Sequence, residues 1–146
     1  MIAQTIQLAL APVFLLVAIG NILNVLSQRL GRVVDRSRML QELHSQTSGA
    51  AHDLVVREMR MLDRRIALIG RAITLLVVSG LTVGLVVAML FLEGFLGYVL
   101  QPFVATGFTI GIALLMGALL LFLAETRAAT EALRISEEFL EKDRKL

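Results

Sequence analysis

Gln7, Asn21, Asn24, Gln28, Arg32 and Asp35 are spaced so that a helix would carry them on one side. At 100° per residue they fall within an arc of about 100°, together with Leu10, Phe14 and Val17. The face is polar at both ends and apolar in the middle. Asn21 and Asn24 lie within an apolar run, where an unpaired amide costs several kcal/mol in hydrocarbon, so they must meet protein or water. Two kinds of chemistry fit. Amides on a membrane helix hydrogen-bond to neighbouring helices, or they line an aqueous path. Gln7 to Gln28 covers roughly 31 Å of helix at 1.5 Å per residue, close to the ~30 Å of a bilayer's hydrocarbon core.

Other chemistry is sparse. The absence of cysteine removes disulfides, thiol catalysis and cysteine-ligated metals. His44, His52 and Asp53 flank a turn and are a conceivable metal cluster, but polar loop residues at a turn account for them equally well, and no metal or cofactor is expected. There is no phosphate-binding glycine loop, nucleophile motif or acidic pair inside the apolar spans. Glu93 and Glu125, at the edges of spans, read as interface charges. The chain is not expected to be an enzyme. Its net charge of +2 offers nucleic acid no basic surface.

The elements that must position the polar face are three apolar spans, about 8–26, 72–92 and 102–124, each near the ~20 residues needed to cross a membrane. With 57% hydrophobic residues and a mean hydropathy of +0.80, the expected class is an all-α integral membrane protein forming a single domain over 1–146. No Lys or Arg precedes Arg29, so the basic start of a secretory signal is missing and the first span is expected to be retained. Nine arginines lie in the segment 29–71, five basic residues follow residue 124, and none lies in the loop 93–101. By the positive-inside rule the N-terminus and that loop are outside, and the 29–71 segment and C-terminal tail are cytoplasmic.

Pro12 should kink the first helix in its outer half. Beyond the membrane Leu26, Leu30, Val33 and Leu40 keep coiled-coil spacing, with Ser37 in the open slot, so the helix should continue to about Leu43. Gly49 is the expected turn, with Ser48 or Asp53 as N-cap. Val55, Met59, Leu62, Ile66, Ile69, Ile73 and Leu76 then carry a second helix into span two, giving an antiparallel cytoplasmic hairpin over about 29–71. Gly80 and Gly84 in span two, and Gly107, Gly111, Ala113 and Gly117 in span three, have the small-residue spacing that lets membrane helices approach closely. Pro102 suits a first helical position, Phe95 and Tyr98 suit a membrane interface, and a charged helix over about 125–144 should place Leu133, Phe139 and Leu140 on an apolar side.

The segments IQLALAPVFLLVAIGNILNVLSQRLGRVVDRSR, LDRRIALIGRAI and LLFLAETRAATEALR resemble the bacterial membrane-protein family catalogued as the domain of unknown function numbered 2721. The resemblance covers nearly the whole chain and implies a small three-helix protein of a bacterial inner membrane, without implying a reaction or ligand. Read with the polar face, the expected function is a homo-oligomeric, channel-like assembly lined by helix one. In it Gln7 forms an outer ring, Leu10, Phe14 and Val17 a constriction, Asn21, Asn24 and Gln28 a vestibule, and Arg32 and Asp35 the mouth. The alternative is a non-conducting scaffold or partner subunit in which the amides are interhelical glue. The expected partners are further copies of the chain and membrane lipid.

Overall fold

Residues 2–97 and 99–132 are described by a computed structural model of the chain. Three helices follow one another, α1 Ile2–His44, α2 Ala50–Leu96 and α3 Gln101–Ala132. At 1.5 Å per residue they are roughly 65, 70 and 48 Å long. Each is long and apolar enough to cross a membrane, and α1 and α2 are about twice the length that crossing requires.

The length of α1 and α2 rests on a seven-residue repeat. Ile19, Leu26, Val33 and Leu40 of α1 are buried, as are Leu62, Ile69, Leu76 and Val83 of α2. The step of seven keeps Leu62, Ile69 and Leu76 on the seam with α1, and one step farther Val83 lies against Gly111 of α3. Leu30, Val55, Met59, Ile66 and Ile73 pack around that seam. The helices are antiparallel: Ile19 faces Gly80, Arg36 pairs with Glu58, and the His44 ring lies 4.4 Å from that of His52. α1 runs through Pro12 without a break.

The hairpin turn differs from expectation in its cap. Gly49 has φ 66 and is the N-cap, its carbonyl accepting the Asp53 N–H, and no side chain caps the helix. Neither Ser48 nor Asp53 serves, because the helix begins one residue after a glycine that has no side chain to offer and Asp53 is already inside the first turn. α2 continues a turn past the expected span and ends on Gly97, whose left-handed φ of 68 suits glycine and whose N–H donates to the Glu93 carbonyl. The Leu100 carbonyl accepts from Phe103 and Val104, which makes Gln101 the first helical residue and Pro102 the second.

α2 is the central helix and packs on both others. Against α3 the contact is made by small residues. A Cβ on Gly107 would sit 2.9 Å from Val86 Cγ2, and one on Gly111 2.8 Å from Val83 Cγ2. The buried Ser79 hydroxyl donates to the Gly111 carbonyl at 2.7 Å. Gly117 lies against Leu75. Gly80 faces Ile19 of α1, whereas Gly84 has nothing within 4 Å, so the glycine pair of α2 is not the surface that meets α3. The valines of the heptad face take that place, and the glycines that matter are those of α3. Tyr98, Leu133, Phe139 and Leu140 lie outside the described residues, as does the expected helix beyond Ala132.

Candidate functional site

Gln7, Asn21, Asn24, Gln28, Arg32 and Asp35 are all exposed on α1. So are the apolar residues between them, Leu10 at 48%, Phe14 at 69% and Val17 at 58%. The cause is the heptad seam, whose buried residues are centred roughly 140° round the helix from this face. Turning Ile19, Leu26, Val33 and Leu40 into α2 turns the amides outward. The Gln28 amide donates to Asn24 Oδ1 at 3.4 Å along the same helix, and among the described residues no hydrogen bond or ion pair joins the stripe to α2 or α3. The structure thus gathers the residues on one face but does not use them to hold its own three helices together.

A second polar cluster is buried. Glu125, expected as an interface charge, is fully buried and accepts from two arginines. Arg29 Nη1 of α1 donates to Oε2 at 2.9 Å, and Arg65 of α2 donates to Oε1 through Nε at 3.0 Å and Nη2 at 2.9 Å. Arg29 Nη1 also donates to the Thr126 hydroxyl at 2.9 Å, and its guanidinium lies 5.2 Å from the Phe122 ring centroid, a cation–π contact. All three helices meet in this node. The signal for it was present, since Gly111, Ala118 and Glu125 are seven apart and the first two face the core; the same step carries Glu125 inward.

Arg36 and Glu58 pair at 2.7 Å farther along the hairpin. Glu58 raises the Arg36 pKa above its ordinary value, through the side-chain hydrogen bond first and charge attraction second. At the hairpin tip the His44 and His52 rings are tilted by 55°, and Thr47 Oγ1 lies 3.5 Å from His52 Nδ1. Among the described residues no three His, Asp or Glu side chains are grouped to hold a metal ion. At the opposite end, a groove of about 320 Å³ opens among the three helices, lined by Leu8 and Pro12, Val86 and Leu90, and Val104 and Phe108, with Gln101 as a polar lining residue. Near the end of α2, and not among the residues lining the groove, one oxygen of Glu93 is buried without a hydrogen-bond partner among the described residues.

Comparison with curated proteins finds no match, and neither does comparison with solved structures. A family model does match, over residues 9–135, taking in the outward face of α1 from Leu10 onward, the hairpin and the Glu125 node. That match extends over most of the 146 residues, and the chain belongs to the family described as protein of unknown function DUF2721.

Proposed function

We propose that this is a multi-pass protein of the bacterial inner membrane whose copies assemble around a shared axis faced by α1, forming a channel-like pathway. The observation that carries the reading is the outward direction of the α1 stripe. Amides at membrane depth need a partner, among the described residues none of them is hydrogen-bonded to α2 or α3, and three helices are too few to enclose a pore. Further copies provide both a partner and an enclosure. The N-terminus is outside and the long hairpin cytoplasmic, from the distribution of arginine. Phe14, with Leu10 and Val17, narrows the path and closes it by excluding water. Asn21, Asn24 and Gln28 then hydrate the inner half, and Arg32 and Asp35 set the charge at its mouth. The role is passage or assembly, not catalysis.

The test is ion or solute flux in vesicles reconstituted with the purified protein. Phe14→Asn hydrates the constriction and is expected to raise flux about tenfold, the effect of lowering a barrier by ~1.4 kcal/mol. Absence of flux in both proteins across voltage, pH and tension overturns the channel. Asn21→Leu combined with Asn24→Leu separates this reading from a scaffold: a channel keeps its copies together and loses flux, whereas a scaffold held by amide bonds falls apart.

A further inference from the structure

The arginines of the hairpin divide into two groups. Arg29, Arg36 and Arg65 are paired with carboxylates. Arg57, Arg60, Arg64 and Arg71 of α2 are exposed, and none of them pairs with a carboxylate among the described residues. At 100° per residue these four fall within an arc of about 60°, turned roughly 120° from the buried side of α2. Arg57 and Arg60 are neighbours at i, i+3, and Arg60 and Arg64 at i, i+4, spacings at which like charges destabilise a helix. A row of this kind calls for negative charge from outside the chain.

What covers the row follows from the same face higher up. Val78, 42% exposed, and Leu85, 61% exposed, continue the arc within about 80° of the helix surface. They lie in the apolar span of α2, so that face meets acyl chains. Arg71 directly precedes the span and is therefore level with the headgroups of those lipids. Arg64 is two turns farther on, roughly 10.5 Å along the axis, with Leu68 between them. Arginine stems lie along apolar surface while their guanidinium groups reach polar ones, so Arg71 and Arg64 approach one phosphate from two sides, and Arg60 and Arg57 extend the positive field below it.

We propose that this face of α2 is a binding site for the headgroup of an anionic phospholipid, with Arg64 and Arg71 as its ligands. It requires only that α2 crosses a bilayer, whichever side the hairpin occupies, and holds whether or not α1 lines a pore. The experiment reconstitutes the full chain in phosphatidylcholine vesicles with traces of spin-labelled phosphatidylglycerol or spin-labelled phosphatidylcholine, and compares the motionally restricted fraction of each label. The wild type is expected to favour phosphatidylglycerol, and Arg64→Gln with Arg71→Gln to reduce the preference about fivefold per arginine, from ~1 kcal/mol per basic residue near a charged surface. Arg64→Lys with Arg71→Lys is expected to keep most of it. In the wild type alone the preference must shrink as salt is raised from about 0.1 M to about 1 M, over which the screening length falls from ~10 to ~3 Å. Equal restriction of the two labels, a preference untouched by salt, or one that survives the glutamine pair overturns the site.

Discussion

At the residue scale the consequential side chain is Glu125. Two guanidinium groups, 23% and 19% exposed, surround a carboxylate with no exposure at all. Such a cluster adds little to stability when complete, because desolvation offsets the attraction, but removing one member leaves the others uncompensated. Glu125→Gln keeps the shape and takes away the charge, so two arginines face one another across a neutral amide. The expected loss is about 3 kcal/mol, read as a lowered thermal midpoint in detergent. Glu58→Gln, which breaks an exposed pair, is expected to cost under about 1 kcal/mol; equal losses from the two variants would show that Glu125 is not the fastening point. The spacing of this residue was legible in the sequence but its partners were not. Arg65 and Arg29 are 60 and 96 residues away, and nothing local in AETR singles out two arginines that distant. A lone acid at the end of an apolar run has the ordinary pattern of an interface charge, and only the register of α3 against α2 turns it inward.

At the element scale, long-range periodicity was the readable part. Steps of three and four from Val55 to Leu76, and from Leu26 to Leu40, describe the hairpin seam, because a coiled-coil pair is specified by the same residues that form each helix. The end expected near Leu43 lies beside the observed His44. Which glycine pair meets another helix was not readable, since GxxxG spacing marks a face without saying where it points. The heptad settles it. Val83 and Val86 are buried and press on Gly111 and Gly107, leaving Gly84 roughly 100° from Val83 on the helix. Gly111→Leu places atoms where Val83 Cγ2 and the α2 backbone at Ser79 already sit, and parts the Ser79 hydroxyl from its carbonyl. Overpacking costs about 1–3 kcal/mol and the lost hydrogen bond about 1 more. Gly84→Leu fills open space and exchanges a poor helix former for a good one, so it is expected to be neutral or to stabilise by up to about 1 kcal/mol. A comparison of unfolding midpoints decides the point: equal damage at both positions would mean that Gly84 contacts another copy.

At the scale of the whole molecule, burying the heptad faces of α1 and α2 leaves the amide face of α1 outward, and the arrangement of copies follows from what that face can meet. The chain has no cysteine, which makes single introduced thiols clean reporters. A disulfide requires Cα atoms within about 7 Å, so only positions near a symmetry axis or a direct helix contact will link. Around a constricted axis Phe14→Cys and Val17→Cys are expected to give oxidised dimers, whereas Asn24→Cys and Gln28→Cys, in the wider vestibule, link poorly by direct oxidation but well with a longer bifunctional reagent. Helices glued through their amides reverse the order, with Asn21→Cys and Asn24→Cys linking first. Ile19→Cys, buried against α2 at 3% exposure, is the control that must not link in either arrangement. Depth along α1 becomes a ruler: the position at which linking peaks measures where the copies come closest, and if it peaks at the exposed Val78→Cys of α2 instead, α1 does not face a shared axis and the channel-like assembly is excluded.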